Sequence, residues 1–298
     1  MNLTPESKVL VQGITDLRAL THASLMKNYG TNVVAGISPG YGGQELQGIP
    51  VFHLIEQAIP VVGSIDTTVI FVPPYAVLDA ALEAIAAGIR QIIIVTEGVP
   101  PLDMIRLVRK AEATETLVIG PHCSGLIVPN KLLLGTHPTH CYTPGPVGLI
   151  SRSSTLTYEI ASELTRAKLG QSIGVSIGSD SIIGSTFAQW LQILDEDDRT
   201  EVIVLVGEIG GGGEEAAAAY IAEAIDKPVI AYIAGRHIPK GKLIGHASGL
   251  MLSLALENSV GTGTAKTKIA AFQNAKIPIA DRPSQIPALV KKALKKAH

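Results

Sequence analysis

Aromatic residues make up only 4% of this 298-residue chain, it has 2 cysteines, and its formal net charge is -2. Each scarcity closes off a class of protein. Cys123 and Cys141 are too few to build a disulfide framework in a chain of this size. A near-neutral charge balance offers no general attraction to nucleic acid or to an anionic membrane. No apolar run is long and uninterrupted enough to span a bilayer. The stretch from Met1 to Ser7 lacks the basic patch and apolar core of a secretory signal. A metal site is also unsupported. His137, His140 and Cys141 lie close together, but no second cluster completes a site. The expectation is a cytoplasmic protein with neither nucleic acid nor membrane as partner, and with no metal of its own.

What is abundant points one way. The chain is 46% hydrophobic, with 30 glycines. A core of Val, Ile, Leu and Ala beneath many glycine turns suits a parallel sheet covered by helices on both faces. Lys8 to Gly13 reads as a first buried strand, Ile14 to Tyr29 as a helix and Asn32 to Ala35 as a second strand. Strands over Thr67–Val72, Gln91–Val95 and Thr116–Ile119, with helices over Val77–Ala87 and Leu102–Ala113, complete a doubly wound domain. The periodicity then fades between Lys131 and Pro146, which marks the boundary between a domain over 1–143 and another over 144–298. The second series has strands at Val147–Ile150, Ser172–Ile177, Val202–Val206, Pro228–Ala234 and Ile277–Ala280. Its helices are expected over Gly184–Leu194, Glu214–Ile225, Lys266–Asn274 and Pro287–Lys296.

The strand exits carry the chemistry. A strand, turn, helix and strand at the N-terminus is the arrangement that offers a helix start to phosphate. Here the turn Gly13-Ile14-Thr15-Asp16-Leu17-Arg18 has one glycine where the dinucleotide fingerprint has three; Asp16 would repel phosphate and Arg18 could attract it. A dehydrogenase reading fails on that turn. In the second half, the hydroxyls of Ser151-Arg152-Ser153-Ser154-Thr155 crowd a helix start, where caps and free N–H groups make an anion site. Gly207-Glu208-Ile209-Gly210-Gly211 follows another strand, and His246 sits between small residues in Gly245-His246-Ala247-Ser248-Gly249. Imidazole can carry a phosphoryl group near neutral pH. A carboxylate to orient it and a helix start to receive phosphate make a coherent phosphotransfer set.

These stretches, in this order, resemble the succinate–CoA ligase (succinyl-CoA synthetase) α-subunit family along nearly the whole chain. The matches include Val9 to Thr15, Tyr29-Gly30-Thr31, Ile93 to Pro100, Ser151-Arg152-Ser153, Thr155 to Glu159, Gly207 to Gly211, Pro239 to Lys242 and Gly245-His246-Ala247. The resemblance implies a Rossmann-like CoA-binding domain followed by a flavodoxin-like ligase domain, both with mainly parallel sheets. It implies a separate β subunit holding ATP or GTP and Mg2+, and succinate, coenzyme A and phosphate as small-molecule substrates. It makes His246 the phosphorylated residue and Glu208 the glutamate that holds it. Ser153, Ser154 and Thr155 become the phosphate cradle, and Tyr158 a neighbour of the organic acid. Thr15, Asp16, Leu17, Arg18, Tyr41, Thr96, Glu97 and Gly98 fall on its CoA-contacting segments.

The chain departs from the family pattern in several places. The first loop is poorer in glycine, and Tyr41 stands where a lysine is usual. His122-Cys123-Ser124 replaces Asn-Cys-Pro, and Ser154 replaces a glycine. The stretch from Ser248 to Thr262 is longer. The phosphotransfer residues are kept while the CoA loop is altered. The alternatives are another acyl-CoA ligase subunit, for instance one using malate, and a non-catalytic assembly subunit with weakened CoA binding.

Overall fold

Val9, Leu10 and Val11 are fully buried, so the first strand, β1 (Lys8–Gln12), is covered on both faces as an interior parallel strand requires. A computed structural model describes residues 4–238 and 263–297 of the chain. By internal contacts these fall into two compact units, Met1–His137 with Ile182–Ser185, and Pro138–Ser181 with Thr186–His298.

In the first unit β1 is followed by α1 (Leu17–Tyr29), β2 (Asn32–Ile37), β3 (Glu45–Leu46), β4 (Ile49–Phe52), α2 (Ile55–Val62), β5 (Thr67–Ile70), α3 (Val77–Ala86), β6 (Gln91–Ile94), α4 (Pro101–Ala113) and β7 (Leu117–Ile119). The strand order is β3-β4-β2-β1-β5-β6-β7, parallel except for the β3–β4 pair. The order reverses between β1 and β5, because the chain first builds outward to β2 and β4 and then returns to the other side of β1. At such a switch point the loops leaving the two strands part, and a crevice opens at their carboxyl ends.

The expected α/β class and parallel sheets are what the chain adopts. The start of α1 needs correction. The helix expected from Ile14 begins at Leu17, because Gly13 to Asp16 is a turn closed by the Asp16 N–H on the Gly13 carbonyl at 3.0 Å. Ile14 is in helical phase with the residues that follow, yet it is fully buried as a turn residue. It lies against Gly36 so closely that a Cβ there would come within 2.5 Å of the Ile14 side chain. Only glycine allows that approach. α1 ends at Gly30, whose φ of 109° takes the left-handed form, with its N–H on the Lys27 carbonyl.

Besides the short strands β3 and β4, two features had no counterpart in the sequence reading. α2 is short and contains Pro60. The other is an antiparallel hairpin of β8 (Gly125–Val128) and β9 (Leu132–Gly135), pairing Val128 with Leu132 and Gly125 with Gly135. Asn130 takes φ 60° in its loop, a conformation that asparagine tolerates. The buried Thr31 hydroxyl donates to the Leu133 carbonyl at 2.7 Å and accepts from the Leu133 N–H at 3.0 Å, which fastens β9 beside the end of α1.

The second unit runs β10 (Pro144–Ser151), α5 (Ser154–Arg166), β11 (Gln171–Ser176), α6 (Phe187–Asp195), β12 (Val202–Gly207), α7 (Gly213–Ala224), β13 (Val229–Ile233), α8 (Ala265–Asn274), β14 (Ile279–Ala280) and α9 (Ile286–Ala297). These strands lie in the order β14-β13-β12-β10-β11, with parallel neighbours. Counted from β10, that is the 2-1-3-4-5 order of flavodoxin-like sheets, with its switch point between β10 and β12. α6 begins with a capping box at Thr186 and Gln189, so the helix starts later than Gly184, at Phe187, and buries Trp190 completely. Burying side chains of this size stabilises by about 2–3 kcal/mol each before entropy is counted. No helix among the described residues is long and apolar enough to cross a membrane.

Candidate active and coenzyme sites

The switch point of the second unit brings two strand exits side by side. Ser151 ends β10 in register with Val206 of β12, and the Arg152 N–H donates to the Val206 carbonyl at 3.0 Å. Neighbouring strands lie about 4.8 Å apart, so the residues just beyond each exit share one edge. Those residues are Ser153 on one side and Glu208 on the other.

Ser153 is the N-cap of α5. Its hydroxyl accepts from the Leu156 N–H at 3.4 Å, and its backbone takes the extended form that a cap needs. The fully buried Ser151 pins it, donating to the Ser153 carbonyl at 2.9 Å and accepting its N–H at 3.0 Å. The N–H groups of Ser154 and Thr155 lie in the first turn, outside the helix's own bonding ladder. The Ser153 and Thr155 hydroxyl oxygens are 3.3 Å apart, and the Ser154 hydroxyl is 3.2 Å from that of Ser176 at the end of β11. The cap here is neutral, and the positive end of the helix is left to act on an anion. Tyr158 follows one turn later, half-buried.

Glu208 is buried at the end of β12. Its backbone N–H donates to Glu214 Oε1 at 3.0 Å, so the first turn of α7 reaches back to hold it. Glu214 is itself paired with Lys268, and both side chains are completely buried. Lys268 Nζ also donates to the Gly211 carbonyl at 2.8 Å and to Glu215 Oε2 at 3.1 Å. Glu215 Oε1 accepts from the Gly263 N–H and from the Thr267 hydroxyl, each at 3.0 Å. Burial pushes the Glu215 carboxyl up, but the Gly263 N–H and the Lys268 charge together outweigh it and hold the group below the usual carboxylate range. This network clamps the glycine loop after β12 to the start of α8. The candidate phosphoryl carrier, His246, lies outside the described residues.

In the first unit a cavity of about 1020 Å³ opens at the switch point between β1 and β5. Thr15, Asp16, Arg18, Thr96 and Glu97 line it, together with Gln12, Ser38, His53 and Glu83. The remaining expected coenzyme residues stand apart from that lining. Leu17 and Tyr41 are exposed, and Gly98 follows Glu97 in the chain without lining the cavity. Thr15 shares a hydrogen bond of 2.7 Å with Ser38, and the Thr96 hydroxyl donates to the Val72 carbonyl at 2.7 Å. Beneath them the buried Gln12 amide donates to the Ala80 carbonyl at 2.9 Å and accepts from the Thr68 hydroxyl at 3.0 Å. Glu83 accepts from the Ile55 N–H at 2.8 Å. His53 Nδ1 accepts from the Gly40 N–H at 3.0 Å and more weakly from that of Gly42.

Sequence reasoning missed Arg152, Gln12, Lys268 and the Glu214–Glu215 pair as parts of these sites. Arg152 turns inward to the Gly178 and Asp180 carbonyls, although its neighbours suggest an anion contact. Gln12 carried a signal, as a polar residue within an apolar strand run. A lysine near the start of a polar helix carried none. His137, weighed as a metal ligand by composition, is instead a buried neutral group that hydrogen-bonds the Gly125 carbonyl at 3.0 Å, its pKa brought down by burial to about 4. Among the described residues no cluster of three or more His, Cys, Asp or Glu is arranged to hold a metal ion.

Two family models match the chain: a CoA binding domain over residues 4–98 and a CoA-ligase domain over residues 150–278. The chain is 42% identical over 288 residues to succinate–CoA ligase [ADP-forming] subunit alpha 2 of Archaeoglobus fulgidus, covering 97% of each. It is 42% identical over 292 residues to the alpha subunit of that enzyme from Aquifex aeolicus, covering 97% of this chain and 93% of the relative. Among solved structures, ATP citrate lyase from Methanosaeta concilii superposes on 100% of this chain with a TM-score of 0.88 at 22% identity. The chain spans about half, 51%, of that larger one, and the likeness is one of fold. With its full-length relatives and both domain models in the expected order, the chain belongs to the succinate–CoA ligase α-subunit family.

Proposed function

We propose that the chain is the α subunit of a reversible succinate–CoA ligase, acting with a β subunit that supplies the nucleotide and Mg2+ site. The observation that carries this reading is the placement of Ser153 and Glu208 on adjacent strand exits, in a chain 42% identical to such subunits over nearly its full length. In the direction of nucleotide formation, a phosphate oxygen attacks the thioester carbonyl of succinyl-CoA and the thiolate leaves, giving succinyl phosphate and coenzyme A. His246 then attacks phosphorus, and the P–O bond to the acyl group breaks. Succinate leaves and the phosphoryl group stays on the imidazole. Finally a nucleoside diphosphate oxygen on the β subunit takes that group, freeing the histidine. Dividing the exchange in this way replaces one hard step with easier ones through a covalent intermediate.

The α5 start and the bond from the Glu208 N–H to Glu214 support the following roles. The α5 start, with the hydroxyls of Ser153, Ser154 and Thr155, stabilises the phosphoryl oxygens as charge shifts during transfer. Glu208, held by Glu214, orients the imidazole and stabilises its positive charge. Tyr158, one turn along, borders the acid. The first-unit cavity takes coenzyme A against Thr15, Asp16, Arg18, Thr96 and Glu97. Leu17, Tyr41 and Gly98 belong to the coenzyme-contacting segments that the family resemblance implies. The two domains of this reading meet at the Thr143–Pro144 junction, and the enzyme works in the cytoplasm.

The test is to assemble the chain with its β partner, add succinyl-CoA and labelled phosphate, and look for acid-labile label on the chain. Label that disappears in His246→Asn is the expected result. No label on an assembled wild-type complex would sink the succinyl-CoA assignment. Repeating the assay with malyl-CoA distinguishes the acid preferred.

A further inference from the structure

The cavity of the first unit is lined by the carboxylates of Asp16, Asp79, Glu83 and Glu97, and among the described residues Arg18 is its one lysine or arginine. For a pocket that is to take a phosphate-bearing coenzyme, this is an inverted charge balance. Three of the carboxylates are committed. Glu97 Oε2 lies 3.1 Å from His122 Nε2. Glu83 accepts the Ile55 N–H and the Gln12 amide. Asp16 Oδ1 accepts the N–H of Arg18 at 2.8 Å and that of Ala19 at 3.3 Å, as the N-cap of α1. These are the second and third N–H groups of the helix, the donors an anion would use. The chain has filled the helix start with its own negative charge.

Arg18 is the opposite case. Its backbone is fixed by the Asp16 bond, while its side chain is exposed on the cavity wall and forms no ion pair among the described residues. The nearby imidazoles do not substitute for it. His22 is held below the usual histidine range by burial and then by the Arg18 charge, and it stacks with Phe71 at a centroid distance of 6.2 Å. His53 uses Nδ1 as an acceptor for the Gly40 and Gly42 loop.

We propose that phosphate recognition in this cavity has moved from the helix terminus to a side chain: Arg18 holds the ligand's phosphate, and Asp16 closes the α1 terminus while fixing the backbone from which Arg18 projects. The inference rests on the reading that the cavity takes coenzyme A, and it names the residue that discriminates among forms of that ligand. A guanidinium grips phosphate oxygens through paired N–H donors, so one arginine can replace several backbone contacts. The placement separates the ends of the ligand. Arg18 follows β1 and Glu97 follows β6, with β5 between them, so a phosphate at Arg18 leaves the uncharged thiol arm to run across the sheet edge toward Thr96 and Glu97.

The two neighbouring residues must therefore act with opposite sign. Titration calorimetry of the full chain compares coenzyme A with pantetheine, which has the same thiol arm and no phosphate. Arg18→Gln is expected to weaken coenzyme A about tenfold to a hundredfold, the range for hydrogen bonds to a charged group. Arg18→Lys should recover part of that loss. Asp16→Asn keeps the cap and removes the charge, and should tighten coenzyme A by roughly threefold to tenfold. Pantetheine should bind all four proteins alike. Unchanged coenzyme A affinity in Arg18→Gln, or weaker binding in Asp16→Asn, would overturn the proposal. So would equal shifts for pantetheine, which would mean that the turn itself had been disturbed. Wild-type chain that binds neither ligand would instead remove the coenzyme reading beneath it.

Discussion

Two helices of this chain, α1 and α5, begin just beyond the first strand of their unit, at the carboxyl edge of a parallel sheet and beside its switch point. Their caps are chemically opposite. Asp16 spends a carboxylate on the second and third N–H groups of α1, whereas Ser153 caps α5 with a hydroxyl and takes the third alone. Both caps stabilise a helix by satisfying donors that water would otherwise have to reach. They differ in what remains for a ligand. The macrodipole of α1 is neutralised from within, and that of α5 is still available to an external anion. On the functions proposed above, the same topology serves an anion at one switch point and turns it toward a side chain at the other. Sheet order alone does not decide what a crevice binds.

Exchanging the caps is the most direct way to break this comparison. Ser153→Asp places a carboxylate on α5 as Asp16 does on α1. Aspartate is as good a cap as serine, so the melting temperature should change little. Labelling at the phosphoryl-transfer site should fall by about a hundredfold or more, the scale for losing a main electrostatic contact to the transferred group. If Ser153→Asp labels at the wild-type rate, the α5 start has no part in phosphoryl transfer.

A second difference lies in how the units bury charge. Among the described residues the second encloses a complete pair, Lys268 with Glu214, and the first encloses a neutral histidine, His137. Lys268→Met leaves Glu214 buried without its cation and should lose about 3–5 kcal/mol of stability in denaturant titration. Pairing it with Glu214→Gln should restore much of that loss, because the glutamine oxygen still accepts the Glu208 N–H and no lone charge remains. A double variant no more stable than Lys268→Met would show that the pair contributes through packing and not through charge.

The histidine behaves differently because burial disfavours its charged form. Its pKa falls from an ordinary 6.5 to about 4 in the folded chain, so the unfolded state binds the extra proton between those values. Stability is therefore full above pH 6.5 and declines as the pH drops toward 4, by roughly 3 kcal/mol in all. In His137→Asn the melting temperature should depend less on pH across that window. An unchanged acid limb would assign the pH dependence to the carboxylates instead.

How much of this could be read from the sequence depends on whether a residue obeys the period of its element. The interior strands were legible because each is a continuous apolar run covered on both faces. The placement of Ser153, Ser154, Thr155 and Glu208 at strand exits was legible for the same reason, since the exits are where those runs stop. Ile14 was misread because it falls in helical phase with α1 while packing as a turn residue on Gly36. The β8–β9 hairpin escaped because Leu132, Leu133 and Leu134 run together without alternation, and the turn signal at Pro129-Asn130 is brief. Lys268 was illegible in principle. A lysine in the first turn of a polar helix reads as solvated, and only the fold shows that two glutamates from α7 enclose it.

The smallest effect sharpens the comparison furthest, because it separates stability from charge at the two helix starts. Replacing either cap by alanine removes one satisfied terminus. Asp16→Ala and Ser153→Ala should therefore each lower stability by about 1 kcal/mol, with similar shifts in melting temperature. Their ligand effects should diverge. Without its carboxylate the α1 terminus gains access for an anion, so Asp16→Ala binds coenzyme A at least as tightly as wild type despite the lost cap. Without its hydroxyl the α5 terminus keeps its dipole but loses an oriented donor, so Ser153→Ala labels several-fold more slowly. Two variants equal in stability and opposite in function would show that the caps were differentiated for what they admit. If both lose function in proportion to stability, the caps are helix stops and nothing more.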